Sequence, residues 1–188
     1  MQRVYIDNNV WDLAYKYKIN LTSCFPIHKF ALAISKHGRF EIDQIPDNEK
    51  NDALKRYIFS SLDSCVEEIH TFGFKNAHYS DHEQRVSGFG IGVFGSDLES
   101  KERKRLNEIY GGKEKRKPEL TLYKQEADID LGALSMNSYV ITLDKKSGPL
   151  KNASENGGKV IFLNEISTEL CPKVFQLAAD KIDIELLI

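Results

Sequence analysis

The stretch Glu126 to Lys146, EADIDLGALSMNSYVITLDKK, constrains this chain more than any other. Acids stand at every second position, Glu126, Asp128 and Asp130, ahead of a short helix of small residues, LGALSM. The apolar run YVIT reads as a buried parallel strand, and Asp144 follows its end. Open α/β sheets bind ligands outside the carboxyl ends of their strands. An acid there, with others at the start of the preceding helix, sets carboxylates around one crevice. That is the arrangement of a metal site.

The chain has 188 residues, enough for one core, with 29% charged and 41% hydrophobic residues. A formal net charge of −2 carries no whole-chain signature of nucleic-acid binding, so any basic surface is local. No apolar run approaches the roughly 18 residues of a membrane span. Cys24, Cys65 and Cys171 lie far apart without CxxC spacing. They read as buried, reduced thiols of a cytoplasmic protein.

RVYID (3–7) reads as the first strand, ending in Asp7, with Asn8 and Asn9 before the helical run VWDLAYKY (10–17). The segment 27–38, IHKFALAISKHG, predicts a helix capped by Gly38, with His28 and His37 on its surface or at its ends. FEIDQI (40–45) alternates as a second strand. A long helix over about 48–71 follows, with Glu49 in its first turn beside the carboxyl end of that strand. Within 72–118, Gly90 to Gly95 matches GxGxxG formally but follows no clear apolar strand, so a dinucleotide site is rejected. A helix over 97–110, capped by Asp97, carries Lys101, Arg103, Lys104 and Arg105. With Lys113, Lys115, Arg116 and Lys117 it reads as a solvated face, or as a basic flap gathering phosphate. KVIFLN (159–164) is a further short strand, ISTELCPKVFQLAADKI carries a final helix, and DIELLI reads as an edge strand or an apolar tail docking on the core.

RVYIDNNVW, the helix near Glu49, EADIDLGALS and VITLDKK together resemble the PIN domain family of metal-dependent ribonucleases. The resemblance covers roughly 1–60 and 120–165. It implies one domain over 1–188 and a three-layer α/β/α fold with a mostly parallel sheet, from whose typical pattern the chain departs in a glycine-rich, basic insertion at about 72–118. Carried over, Asp7, Glu49, Asp128 and Asp144 are the expected catalytic acids and metal ligands, with Asp130 or Glu126 as neighbours that could replace Asp128. Three acids spaced by two on a helix lie roughly 200° apart per step and cannot all face one point. Thr142 and Asn8 or Asn9 orient ligands or phosphate, while Lys145, Lys146, Lys104 and Arg105 hold the RNA backbone.

Crowded carboxylates repel one another unless hard cations neutralise them, and oxygen ligation favours Mg²⁺ or Mn²⁺. The expected activity is endonucleolytic hydrolysis of RNA phosphodiesters. The resemblance also brings the toxin role of small family members, with an antitoxin as partner and a homodimer as one assembly. Two alternatives stay open: a non-catalytic PIN-like module that binds protein or RNA, and a flap-type DNA nuclease.

Overall fold

The computed structural model describes residues 1–112, 114, 122–144, 147–167 and 171–186. In chain order, β1 (Gln2–Ile6) leads into α1 (Asn8–Lys16) and the short α2 (Leu21–Cys24). Then come β2 (Phe30–Ser35), α3 (Lys36–Asp43), α4 (Glu49–Ser64) and β3 (Val66–Ile69). The segment that follows carries two isolated bridges, Thr71 to Val93 and Phe72 to Ser87, before α5 (Asp97–Tyr110). The second half comprises α6 (Glu126–Leu134), β4 (Tyr139–Thr142), α7 (Pro149–Glu155), β5 (Val160–Phe162), α8 (Leu163–Ile166) and α9 (Lys173–Glu185).

The five strands form one parallel sheet in the order β3-β2-β1-β4-β5. The chain builds outward from β1 to one edge, then crosses back to lay β4 on the other side of β1. The strand order therefore reverses between β1 and β4, which opens a crevice at their carboxyl ends. This is the expected α/β architecture with helices on both faces.

Alternation along β1 assigns the two faces. Val4 and Ile6 join Leu32, Ile34 and Ile141 against Trp11 of α1, Ile58 of α4 and Phe175 of α9. Tyr5, Ala33 and Val140 turn to the other face, against Leu131 and Leu134 of α6 and Leu150 of α7. Behind α6, Leu106 of α5 packs with Ile129 and Ala153.

Several sequence expectations are corrected here. FALAIS is strand β2 rather than part of a 27–38 helix, because it is buried on both faces and its apolar run carries no period of its own. FEIDQI is not a strand: residues up to Asp43 belong to α3, which Ser35 caps by accepting the Gly38 N–H at 3.2 Å. Gly38 thus opens a helix instead of closing one. The long apolar stripe over 48–71 spans a junction, with α4 ending at Ser64 and Val66 entering an edge strand. At α5 the cap is Ser96, in a reciprocal capping box with Glu99, rather than Asp97. The three cysteines are free and only half-buried.

Gly132 sets how closely α5, α6 and α7 approach. A Cβ there would stand 2.7 Å from Leu106 Cδ1 and 3.3 Å from the Ala153 Cβ. Leu106 is fully buried and cannot swing away. Gly132→Ala is therefore expected to destabilise the protein by about 1–2 kcal/mol, overpacking outweighing the gain in helix propensity. Adding Leu106→Val should return part of that loss in denaturant unfolding. Strictly additive effects would show that the two residues do not press on each other.

Candidate active site

Four carboxylates from four segments line one open cleft of about 670 Å³ at the switch point: Asp7, Glu41, Asp128 and Asp144. Asp7 follows β1, Glu41 lies on α3 behind β2, Asp128 on the first turn of α6, and Asp144 just beyond β4.

Asp7 is buried and holds the N-cap position of α1, yet its side chain makes no capping bond. Its Oδ2 instead accepts the Thr142 hydroxyl at 2.6 Å and Asn9 Nδ2 at 2.7 Å. Thr142 Oγ1 in turn accepts the Asp144 N–H at 2.9 Å, and Asn9 Oδ1 accepts the Leu143 N–H at 2.9 Å. The ends of β1 and β4 are thereby clasped, and the clasp sets the backbone that carries Asp144. Asn8 works the other way. Its Nδ2 donates to Glu41 Oε2 at 2.6 Å and to the Gly38 carbonyl at 2.9 Å, tying α3 to the head of α1.

Burial pushes the Asp7 carboxyl up to about 6, against the Thr142 hydrogen bond, and the charges of Glu41 and Asp144 push the same way. The acids thus feel one another across the cleft. Their donor set is all oxygen, which suits a hard divalent cation rather than zinc. Among the described residues, no group of three or more His, Cys, Asp or Glu side chains is already drawn together as a ligating cluster. The carboxylates line the cleft, and an all-oxygen donor set is of the kind that suits Mg²⁺ or Mn²⁺.

The structure distributes the expected site residues unevenly. Asp7, Asn8, Asn9, Asp128 and Asp144 line the cleft, with Thr142 fully buried beneath it. Glu49 does not: it is the exposed first residue of α4. Its expected place rested on a strand at 40–45, and with α3 there instead the helical glutamate at the cleft is Glu41, which the sequence reading missed. Lys104 is exposed on α5, and Arg105 is held by Glu102 at 2.6 Å and Asn152 at 2.5 Å; neither lines the cleft. Lys145 and Lys146 lie outside the described residues, as do Lys113, Lys115, Arg116 and Lys117.

Asp130 and Glu126 face away from the cleft. Asp130, fully enclosed, pairs with His37 Nδ1 at 3.0 Å and with Arg103. Glu126 binds Arg85 at 2.8 Å, and its carboxylate stands 3.7 Å from His37 Nε2. His37, expected as a surface or capping residue, is buried between these acids. Burial alone would lower its pKa, but Asp130 and Glu126 outweigh that and raise it to about 9. Burial works against both carboxylates, yet His37 and Arg85 bring Glu126 to about 2, and His37 and Arg103 hold Asp130 well below the usual range. The pair is an internal ionic brace for α6. Gln125, just before that helix, takes a left-handed backbone (φ 64°) on the cleft rim.

No family model, curated protein or solved structure matches this chain.

The two kinds of acid predict opposite mutational responses. The native pKa of Asp7 lies above its unfolded value near 3.9. Its contribution is therefore full below about pH 4 and lost as pH rises through about 6. Asp7→Asn should stabilise the metal-free protein at pH 7 by on the order of 2 kcal/mol, with the gain vanishing near pH 4. A variant melting lower than wild type at pH 7 would show that the Thr142 and Asn9 bonds outweigh the desolvation of the charge.

Asp130→Asn should instead cost about 3–5 kcal/mol, since it takes the carboxylate from the buried His37 and the half-buried Arg103. The His37 contribution is full below about pH 6.5 and lost as pH rises through about 9; that of Asp130 is full above about pH 4 and lost in acid. Wild type should show both slopes in its melting temperature, and Asp130→Asn should flatten them. Unchanged slopes would remove the brace from the account.

Proposed function

We propose that this protein is a metal-dependent endoribonuclease of PIN type, with Asp7, Glu41, Asp128 and Asp144 as its cation-holding acids. The observation that carries the reading is their convergence on one cleft from four separate segments at the point where the strand order reverses. Burial, with the charges of Glu41 and Asp144 beside it, raises the Asp7 carboxyl, a cost that a cation brought from outside would relieve.

When bound, Mg²⁺ or Mn²⁺ supplies Lewis acidity toward a phosphate and a lower pKa for water. The chain's own residues do the positioning. Thr142 and Asn9 orient Asp7, Asn8 orients Glu41, and the cap of the β4 end fixes the backbone of Asp144. The helix N-terminus of α6 brings Asp128 to the cleft, where its amide dipole favours anionic groups. The open cleft admits an extended strand more readily than a small enclosed substrate. Among the described residues, no helix is long and apolar enough to cross a membrane. The toxin role and its antitoxin partner follow from the family resemblance alone.

The test is cleavage of a mixed RNA pool by wild type, Asp144→Asn, Glu41→Gln and Glu49→Gln, each with Mn²⁺ and with EDTA. Wild type and Glu49→Gln should cleave only with metal, and the other two should lose at least about a hundredfold in rate. Equal activity in wild type and Asp144→Asn would place the chemistry elsewhere. Preference for single-stranded DNA in competition would move the reading to a flap-type nuclease. Absence of cleavage, together with no rise in melting temperature on adding Mn²⁺, would leave a non-catalytic binding module.

A further inference from the structure

The chain leaving β3 at the edge of the sheet carries Glu68, His70 and Phe72 at every second position, the spacing that sets side chains on one face of an extended segment. Thr71 bridges Val93 on one side of it, and Phe72 bridges Ser87 on the other. The Ser87 N–H donates to the Thr71 carbonyl at 2.9 Å, and the Gly73 N–H donates to the Ser87 carbonyl at 3.1 Å. The Val93 N–H donates to the His70 carbonyl at 2.8 Å. Gly92 permits this close fit, since a Cβ there would stand 2.6 Å from the Phe72 Cα. Backbone pairing therefore fixes Ser87 relative to His70.

Ser87 Oγ lies 2.6 Å from His70 Nδ1, and His70 Nε2 lies 2.6 Å from Glu68 Oε1. Lys36 Nζ donates to Ser87 Oγ at 3.3 Å and to the Val86 carbonyl at 3.1 Å. The two ends of this relay fix its direction, because a carboxylate only accepts and an ammonium only donates. Neutral His70 then donates from Nε2 to Glu68, and its Nδ1 accepts the Ser87 hydroxyl proton. The His70 hydrogen bond, helped by the charges of His70, Arg39 and Lys36, holds Glu68 below the usual carboxylate range against burial. Ser87, His70 and Glu68 are all partly open to water, so burial does not compel these bonds. A hydroxyl, a base and a group that orients the base are the parts of an activated nucleophile. Either nitrogen of the imidazole can take the proton.

Beside the hydroxyl the surface is apolar. The Phe72 ring centroid lies 4.2 Å from that of Phe94, 4.8 Å from Phe89 and 5.8 Å from Phe74. Phe74, Phe89 and Phe94 are 80%, 78% and 72% exposed, and Ile91 is 68% exposed. Contiguous uncovered rings mark a binding surface rather than scattered surface apolarity. The Gly88 and Phe89 N–H groups, next along the chain from Ser87, donate to no atom among the described residues. They are the donors available to a carbonyl oxygen under attack.

We propose that Ser87, His70 and Glu68 form a second hydrolytic site, for carboxylic esters whose apolar acyl chain lies on the Phe72 cluster. Ser87 Oγ bonds to the ester carbonyl carbon while its proton passes to His70 Nδ1, and the C=O electron pair moves onto oxygen. That pair then re-forms C=O, the bond to the alcohol oxygen breaks, and His70 returns the proton to the departing alcohol. Water repeats both steps on the acyl-serine ester, releasing the carboxylic acid and restoring the hydroxyl. Lys36 opposes the charge that develops on Oγ, and Glu68 positions the ring. The site shares no residue with the lining of the acidic cleft, so it stands apart from the ribonuclease reading.

The experiment mixes the full chain, in EDTA, with p-nitrophenyl acetate, butyrate and caproate. It follows nitrophenolate release together with intact and peptide mass spectra. A stoichiometric burst should appear, with the acyl group on Ser87. Ser87→Ala and His70→Ala should each lose at least about a hundredfold in rate. Glu68→Gln should lower kcat by at least about tenfold with KM unchanged, as befits a positioning residue. Caproate should exceed acetate in kcat/KM by at least about fivefold, and Phe89→Ser should narrow that gap. No burst, acyl groups on lysines without one on Ser87, a rate that survives in folded Ser87→Ala, or acetate matching caproate would each overturn the proposal. Circular dichroism checks folding; if Ser87→Ala does not fold, the acyl position in the wild-type spectra decides alone. EDTA empties the acidic cleft of cations, so ester turnover in its presence is read apart from RNA cleavage.

Discussion

The hydrogen bond from the Thr142 hydroxyl to the Asp7 carboxylate holds the site together, because each partner terminates one of the two strands that flank the switch point. A carboxylate buried at the end of β1 is costly to charge, and only donors or a cation offset that cost. Thr142 supplies one donor and then uses the same oxygen to accept the Asp144 N–H. One hydroxyl therefore fixes a side chain on β1 and the backbone beyond β4. Valine at 142 would keep the strand and lose both bonds. Serine would keep the hydroxyl but lose the β-branched shape that suits a central strand.

α6 shows how a two-residue step separates roles on one helix. Glu126 and Asp130, four apart, share a face and are neutralised by His37, Arg85 and Arg103. Asp128, between them, is turned toward the cleft. The paired acids sit where charge is answered from within the protein. The cleft acids instead converge on one open cleft at the carboxyl ends of the strands. That difference, rather than the count of acids, separates structural carboxylates from those suited to a cation. It also explains why a buried histidine lies so near the site without belonging to it: His37 anchors α3 to α6, and α3 carries Glu41.

The sequence made the ends of this site legible and its middle opaque. Asp7 and Asp144 stand at the ends of strands whose apolar runs are short and bounded, and the alternation of Glu126, Asp128 and Asp130 foretold that they could not converge. Glu41 was hidden by a misread boundary. The alanines of FALAIS favour a helix locally, and only pairing on both sides makes it a strand. With Ser35 read as a cap ahead of Gly38, FEID falls on a helix and Glu41 becomes its inward-facing acid. The arginines of α5 were legible as charge but not as partners. Arg103 meets Asp130 and Arg105 meets Asn152 only through tertiary packing, whereas Glu102 is a local partner three residues before Arg105 on the same helix.

The adjacent asparagines divide the work that a single residue could not perform. Asn9 has both amide ends engaged at the clasp, the nitrogen on Asp7 and the oxygen on the Leu143 N–H. Asn8 spends its nitrogen on Glu41 and Gly38 and keeps its oxygen free of partners among the described residues. Aspartate at 8 would set a third negative charge against Glu41, and serine would be too short to reach it.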